Sequence, residues 1–564
     1  MTENTDTTVD LLIVGSGGGA LVAALAANEA GLTALVIEKT EFVGGSTAMS
    51  GGVVWVPGNP FLLAQGVQDS AEQGIAYLEE VVGDAGPGAS RARKEAFIHG
   101  SHKMLGFLMK EGVKFKYCYT PDDYSDAPGG RKEGRAVEGV IIKRRDLGGW
   151  ATWMRRSPYE FPFPLYQDDA PDAELAFRTP RHFANMLKIM ARGALAKRRG
   201  DELLTLGQSL IGQILIAMQR RGIWVWRNTA MQELIVEDDR VVGVTAVRDG
   251  KPITLRARHG VLLAAGGFAR NREMRLANQA SPIDGGWSSA NPGDTGDAIQ
   301  ASVAIGAATS NLDEAIWLPG PLFQGNPVLA VWERSLPHSI MVDSSAERYM
   351  NESLPYMEAG QKMLERHRTV PAVPSWLIMD RRHRRRYPFM AAPPGITPRD
   401  WISSGFMKKA DTLEDLAARC GLDPARLKAT VDRFNRMAIA GKDEDFGRGD
   451  TAYDRYFGDE TVKPNPNLGT VEQGPFYAVE HVITDVGTVG GVVADEHARV
   501  LRDDGTIIEG LYASGCTAAS PNGKIYPAPG ASISSSMTFG YLAAQHVAAR
   551  AGVGTADPEL VGAK

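Results

Sequence analysis

The sequence predicts an α/β protein in which a Rossmann-like domain of the two-dinucleotide-binding type is split by an inserted α+β domain. Three observations predict this fold. A glycine-rich turn joins a strand to a helix within residues 10–29, an apolar strand ends in glycines at residues 261–267, and a late strand ends in a glycine turn at residues 510–515. Because these pieces come from both ends of the chain, the residues between them are predicted to be an insertion.

The N-terminal element carries the most information. A short apolar run at residues 11–14 precedes Gly15-Ser16-Gly17-Gly18-Gly19-Ala20, and a strongly helix-forming segment follows. Gly15 permits a tight turn, Gly17 lets the backbone approach a pyrophosphate, and Ala20 keeps the helix close to the strand. The N-terminus of that helix offers N–H groups and the positive end of its dipole to phosphate. The pattern therefore predicts a dinucleotide site.

The residues that follow indicate which dinucleotide is bound. The next strand ends at Glu38-Lys39, about 20 residues after the glycines, where a carboxylate accepts a ribose hydroxyl. A second cluster of small and hydroxyl residues then appears, namely Gly44, Gly45, Ser46, Thr47, Ser50, Gly51 and Gly52. A nicotinamide domain has no need of this cluster, whereas an extended FAD passes such a loop on its way to the isoalloxazine. Val53 and Trp55 flank the cluster too closely to favour a flexible surface loop.

Two later elements fit the second half of an FAD fold. A β-hairpin pattern over residues 233–245 leads into the apolar strand that ends in Ala265-Gly266-Gly267. Near the C-terminus, residues 510–515 form another short strand that ends at Gly515. A nicotinamide dehydrogenase leaves both elements unexplained.

Composition excludes several classes of function. The net charge of −6 and the pI of about 6.0 give no basic footprint for nucleic acid. Three cysteines without a CxxC pair, and scattered histidines, predict no metal site. The sequence shows no signal-peptide core at residues 1–10 and no apolar run near the ~20 residues that span a bilayer, so we expect a cytoplasmic protein. Residues 181–199 are basic and amphipathic, which indicates either peripheral membrane contact or a cap on a domain junction.

The chain resembles the FAD-dependent fumarate reductase and succinate dehydrogenase flavoprotein superfamily and, within it, the 3-ketosteroid Δ1-dehydrogenases. The superfamily resemblance rests on the glycine and acidic motifs described above. The subfamily resemblance rests on sharper strings, found at residues 123–130 with 134–138, 348–356, 453–459 with 463–468, and 526–530 followed by 537–541. It covers nearly the whole chain. Ala528, where the family often has glycine, and the polar Asn522 and Lys524 depart from the family pattern.

The resemblance implies an FAD-binding domain at residues 1–275 and 478–564 and a substrate domain at 276–477. It implies a steroid substrate, from which one hydrogen leaves C2 as a proton and one leaves C1 as a hydride to flavin N5, and an external electron acceptor such as a quinone or a redox partner. The implied FAD contacts are Gly15, Ser16, Gly17, Gly18, Gly19, Ala20, Glu38, Lys39, Gly45, Ser46, Thr47, Ser50, Gly51, Gly52, Ala265, Gly266, Gly267, Gly515, Ser532 and Ile533.

Four residues match the family's catalytic positions. The resemblance implies that the Tyr526 hydroxyl and the Gly530 backbone N–H stabilise negative charge on the ketone oxygen. Tyr356 matches the base, and Tyr124 matches a second tyrosine that bonds to it and passes protons. Two rivals for that second role, Tyr117 and Tyr119, lack the surrounding motif.

Other functions stay open at the level of sequence. A sister flavoenzyme, such as a 3-ketosteroid Δ4-(5α)-dehydrogenase, acts at another ring bond. A fumarate-reductase-like enzyme needs cationic groups to clamp two carboxylates, whereas the candidate strings here are rich in tyrosine. A flavin- or sterol-binding protein without catalysis is the remaining alternative.

Overall fold

A mixed eight-stranded sheet forms the core of the first domain. The computed structural model describes residues 6–157 and 163–553. The strand Asp6–Val14 lies parallel to Ala34–Ile37 on one side and to the end of Lys251–Leu263 on the other. The C-terminal strand Ile507–Ala513 is also parallel to the end of Lys251–Leu263. The carboxyl ends of three central strands from distant parts of the chain therefore meet at one edge, which is where an open α/β sheet binds its ligand.

The other strands complete this sheet. Thr229–Glu237, Arg240–Arg248 and the first half of Lys251–Leu263 form an antiparallel meander. Val225–Trp226 and Arg499–Leu501 add the two edges. The hairpin pattern and the late glycine-ended strand predicted from the sequence are confirmed, as is the α/β fold class.

Two small-residue helices pack against each other behind the glycine turn. Gly18–Glu29 is buried along its first ten residues, and Ala531–Arg550 crosses it. A Cβ at Gly540 would lie only 2.2 Å from the Gly19 carbonyl oxygen, so glycine is required at this crossing. The close approach brings residues Ser536, Met537 and Gly540 of Ala531–Arg550 beside the N-terminus of Gly18–Glu29.

A second sheet has five antiparallel strands and is centred on Phe476–Thr488, a strand that continues past the predicted domain limit at residue 477. That strand pairs with Ala315–Gly320, Ser375–Met379 and Met407–Ala410, and Ser339–Val342 lies beyond Ser375–Met379. The helix Tyr356–His367 packs on Ala315–Gly320, where a Cβ at Gly360 would lie 2.3 Å from the Trp317 Cβ. This tight contact fixes the first turn of the helix, and Tyr356 with it. The domain limits at residues 275 and 477 stay a prediction.

The remaining elements surround these sheets. A three-stranded sheet is formed by Val53–Trp55, Phe115–Cys118 and Ala136–Gly139. Among the described residues, no helix has both the length and the apolar composition needed to cross a bilayer. The other α-helices are Gly45–Met49, Pro60–Leu63, Ala71–Val82, Arg91–Lys110, Ala170–Glu174, Pro180–Arg198, Leu206–Arg220, Arg272–Asn278, Asp297–Val303, Arg381–Arg386, Arg399–Ser403, Leu413–Cys420, Pro424–Ala440 and Ala452–Tyr456.

Candidate active site

The glycine turn has the shape that a dinucleotide requires. Gly15 adopts φ +101°, and a Cβ there would lie 2.2 Å from the Ala264 carbonyl oxygen. A Cβ at Gly17, by contrast, would meet nothing within 4 Å, so open space lies directly above this residue. Gly17 also caps the helix Gly18–Glu29 without any side-chain hydrogen bond. A helix N-terminus that starts at a glycine and faces open space fits a pyrophosphate.

Glu38 and Lys39 lie at this edge of the sheet but already have protein partners. The Ser16 hydroxyl donates to Glu38 Oε2 at 2.6 Å, and Thr40 donates to Glu38 Oε1 through its backbone N–H and its hydroxyl, each at 2.9 Å. A carboxylate has about four acceptor positions, so a ribose hydroxyl can still be accepted. Lys39 Nζ donates to the Thr295 hydroxyl at 2.6 Å and to the Asp297 carboxylate at 2.7 Å. Its positive charge therefore lies beside the first residue of the helix Asp297–Val303.

The second glycine and hydroxyl cluster faces a buried acid. Thr47 Oγ1 accepts from the Gly18 N–H at 3.2 Å, and the Ser46 hydroxyl donates to Asp294 at 3.3 Å. Burial raises the pKa of Asp294 to about 7, against a smaller opposing effect from Ser46. Sequence reasoning missed Asp294, although the glycine- and aspartate-rich run at residues 291–297 was a signal for it.

The remaining members of this cluster contact protein rather than open space. The Ser50 hydroxyl donates to the Thr47 carbonyl at 2.7 Å. A Cβ at Gly51 would lie 2.9 Å from the Gln167 side chain, and a Cβ at Gly52 would lie 2.3 Å from the Leu206 backbone. Gly45 lies above the turn, since its Cβ would be 3.2 Å from Gly17 Cα.

The ends of the strands Lys251–Leu263 and Ile507–Ala513 complete this edge of the eight-stranded sheet. The Thr517 hydroxyl accepts from the Ala265 N–H at 3.0 Å and donates to the Gly266 carbonyl at 2.8 Å. Cβ atoms at Gly266 and Gly267 would collide with Asp294 and Thr488, respectively. Gly515 has φ +64° and lies beside Ser536 of the C-terminal helix. The predicted glycines of both strand ends therefore lie close to one another.

Tyr356, Tyr526 and Gly530 meet between the two domains. The ring centroids of Tyr356 and Tyr526 are 5.1 Å apart, and the two rings are tilted by 44° to each other. The Gly530 N–H donates to the Tyr526 oxygen, at 3.3 Å. Ser532, in the first turn of Ala531–Arg550, lies 3.3 Å from the same oxygen, and its neighbour Ile533 is half-buried. The three sequence-predicted residues therefore lie close together, with Gly530 hydrogen-bonded to Tyr526 and the Tyr356 ring beside the Tyr526 ring.

Burial controls the acidity of both phenols. It raises the pKa of Tyr356 well above the ordinary value, and the nearby Tyr526 and Asp123 add to that shift. Burial also raises the pKa of Tyr526, while hydrogen bonds from Ser532, Tyr356 and Gly530 oppose the shift. The pKa of Tyr526 is therefore raised less than that of Tyr356, so Tyr526 is the more acidic phenol of the two, which suits a hydrogen-bond donor.

Tyr124 lies close to an acid that sequence reasoning did not single out. The carboxyl of Glu358, on the same helix as Tyr356, is near the Tyr124 hydroxyl. The hydrogen bond from Tyr124 to Tyr356 that the resemblance implied stays a prediction. Burial and the charge of Glu358 raise the pKa of Tyr124. Glu358 is a site residue that sequence reasoning missed.

One group of side chains has the chemistry of metal ligands. Cys118, Glu138 and Asp168 lie within 4.8 Å of one another. The Lys116 ammonium already lies 3.2 Å from Glu138 and 2.9 Å from Asp168, so a cation occupies the position between the two carboxylates.

Comparison with known proteins shows the family of this chain. Residues 10–533 match the family described as FAD binding domain. A 3-oxosteroid 1-dehydrogenase of Mycobacterium tuberculosis is 42% identical over 560 residues, covering 96% of this chain and 99% of the relative. A 4-oxocyclohexanecarboxylate 2-dehydrogenase of Sinomonas cyclohexanicum is 35% identical and covers 96% of this chain and 93% of the relative.

A solved structure matches over almost the whole chain. The 3-ketosteroid Δ1-dehydrogenase of Sterolibacterium denitrificans, in complex with 1,4-androstadiene-3,17-dione, has a TM-score of 0.91 and 34% sequence identity and covers 96% of this chain and all of that one. With FAD as its cofactor, the chain is a flavin-dependent oxidoreductase. It belongs to the family of FAD-binding flavoproteins that includes the 3-oxosteroid 1-dehydrogenases.

Proposed function

We propose that this enzyme forms the C1–C2 double bond of 3-ketosteroids. The observation that carries the proposal is that the Gly530 N–H meets the Tyr526 hydroxyl while the Tyr356 ring lies 5.1 Å from the Tyr526 ring. The names of the relatives at 42% and 34% identity support the substrate class.

Two donors at this point suit a ketone oxygen. The Gly530 N–H lies 3.3 Å from the Tyr526 oxygen, so a carbonyl oxygen that enters between them accepts from both groups. As a proton leaves the neighbouring carbon, negative charge develops on that oxygen. One such donor contributes a factor of about 10² to 10³ in rate. Two aimed at one atom therefore favour loss of the C2 proton.

Tyr356 is the base of the proposal. A phenol with a pKa near 10 or above is a weak acid, and it acts as a base only once its own proton has moved. Tyr526 has to keep its own proton to donate to the ketone, so it cannot accept this one. In the proposal the Tyr356 proton passes by way of Tyr124, which lies close to the Glu358 carboxyl, to solvent. Bound FAD supplies the hydride acceptor for C1, and a quinone or redox partner is our proposed external acceptor.

Product analysis with a substrate panel tests the proposal. Purified holoenzyme receives 4-androstene-3,17-dione, its 5α-reduced analogue and 4-oxocyclohexanecarboxylate, each with an artificial electron acceptor. We expect the steroids to be oxidised with a new C1–C2 double bond, mapped by NMR. Exclusive turnover of the single-ring acid, which the 35% identical relative uses, or a new double bond at C4–C5, contradicts the proposal.

We further propose that this cytoplasmic enzyme contacts the membrane surface through the helix Pro180–Arg198. A row of apolar side chains faces solvent along that helix, and Phe177 packs against the first of them with a centroid distance of 6.1 Å. The row is Phe183, Leu187, Met190 and Leu195, each between 46% and 49% exposed. Exposed Lys188, Lys197 and Arg198 lie on the same helix and suit anionic headgroups.

The same helix also borders the insertion. Arg178 pairs with Asp459 at 2.7 Å, Arg181 pairs with Glu460 at 3.0 Å, and the buried His182 contacts Asp172 at 2.6 Å. The N-terminal turn of the helix is thereby fixed to the protein, which supports the alternative that it caps a junction. The two roles are compatible because the apolar row lies on the exposed face.

Vesicle co-sedimentation tests the membrane proposal. Wild-type protein is expected to sediment with vesicles of anionic phospholipid and to be released by high salt. The double variant Leu187→Glu/Met190→Glu should stay in the supernatant. The matched control Ile439→Glu changes another exposed apolar residue, 71% exposed, and should bind like wild type. Equal binding of all three proteins contradicts the proposal.

A further inference from the structure

A buried carboxyl group, Asp123, lies beside the tyrosine cluster without a partner. The residue is only 3% exposed, and neither carboxyl oxygen has a hydrogen-bond partner among the described residues. Its backbone N–H donates to the Pro527 carbonyl at 3.0 Å, and the Tyr77 hydroxyl donates to the same carbonyl at 2.6 Å. Asp123 is thus fixed to the loop that carries Tyr526 and Gly530.

The groups that face Asp123 are acids and phenols. The acids are Asp122 and Glu358. Asp122 is already paired with Arg135 at 2.6 Å, so that guanidinium is not free for Asp123. The phenols that feel the charge of Asp123 are Tyr77, Tyr124, Tyr356, Tyr453 and Tyr526. Taken together, these neighbours make the environment of Asp123 unfavourable for a carboxylate.

Ionisation of Asp123 would cost free energy in this buried position and would also hinder the loss of the Tyr356 proton. An unpaired charge without hydrogen bonds in a buried site is neutralised by a shift of its own pKa. Burial accordingly raises the pKa of Asp123 well above its ordinary value. A negative charge on Asp123 would also raise the pKa of Tyr356 and so disfavour its phenolate. Both effects point to a neutral side chain.

We propose that Asp123 is a positioning residue, held as a neutral carboxylic acid behind the tyrosine pair, whose lack of charge allows Tyr356 to lose its proton and act as the base. The inference rests on the proposed function of Tyr356, but the protonation state of Asp123 can be measured independently of any turnover.

Infrared difference spectroscopy tests the protonation state directly. The spectrum of wild-type holoenzyme at pH 7, minus that of Asp123→Asn, should contain the C=O stretch of a protonated carboxylic acid. The control Asp126→Asn removes an exposed carboxylate of the same loop, which lies 3.2 Å from Lys132, and should lose only a carboxylate band. If the Asp123→Asn difference also shows only a carboxylate band, the proposal is wrong, whatever reaction the enzyme catalyses.

The pH profile of kcat tests the consequence for the base. Asp123→Asn keeps the shape and stays neutral, so kcat at pH 7 should remain within about threefold of wild type. A neutral acid and a neutral amide should also give parallel pH profiles of kcat between about pH 6 and pH 8. A loss above about tenfold at pH 7 with FAD bound, or a ratio of variant to wild-type kcat that changes more than about threefold across that range, overturns the proposal. Asp123→Ser repeats the test if the Asn variant does not retain FAD.

Discussion

Replacing Gly530 by alanine should displace the backbone N–H donor while leaving the tyrosine side chains of the site present. Gly530 has φ +87°, and a Cβ there would lie 2.5 Å from the Val53 carbonyl oxygen. Relief of that contact needs a loop shift of about 1 Å, and a misplacement of that size costs about 10²-fold in rate. Loss of one oxyanion donor costs about 10² to 10³-fold. We therefore expect kcat to fall by about 10² to 10³-fold, with Tyr526 and Tyr356 still present.

The assay is steady-state turnover of a 3-ketosteroid with an artificial acceptor, together with the flavin absorbance of the purified protein. Gly31→Ala is the matched control, because Gly31 has φ +89° and a Cβ there would meet nothing within 4 Å. Both variants carry the backbone strain of ~1–2 kcal/mol, but only Gly530→Ala displaces the donor. A Gly530→Ala enzyme that retains FAD and keeps kcat within threefold of the control refutes the reasoning.

Three further predictions follow from the same geometry. Tyr356→Phe should lower kcat by about 10² to 10⁴-fold while FAD binding and Tm stay nearly unchanged, because the ring still fills its site; an active variant in the same assay contradicts the role of the hydroxyl. Gly17→Ala should fold normally but bind FAD at least tenfold more weakly by fluorescence titration, whereas Gly19→Ala should destabilise the flavin-free protein, since its Cβ would lie 2.5 Å from the Ser536 carbonyl. Because burial raises the pKa of Asp294 to about 7, its favourable contribution to stability is lost as pH rises through about 7. The Tm of flavin-free Asp294→Asn relative to wild type should therefore rise between about pH 5 and pH 8, and a constant difference contradicts this.

The cofactor domain could be predicted because its signals are local. Gly15 and Gly17 mark a turn whose backbone is dictated by the absence of a side chain, and the strands on either side are uninterrupted apolar runs. Even the return of residues 507–513 to the sheet could be predicted, since a short apolar strand that ends in glycine has few other positions in this fold.

The details of the tyrosine cluster could not be predicted in the same way. Tyr356 and Tyr526 lie far apart in the sequence, and only the packing of the helix Tyr356–His367 against Ala315–Gly320 decides where its hydroxyl points. The same packing places Glu358 within reach of Tyr124. Asp123 was also invisible as a separate site residue, because its significance lies in the partners that it lacks.

Deuterium uptake at C2 tests the central claim most directly. Holoenzyme is incubated in D₂O with a 3-ketosteroid and no electron acceptor, and the carbon beside the carbonyl is followed by NMR. We expect wild type to exchange this hydrogen at least a hundredfold faster than Tyr356→Phe, with FAD bound in both. Equal exchange in the two proteins would show that Tyr356 does not remove the proton.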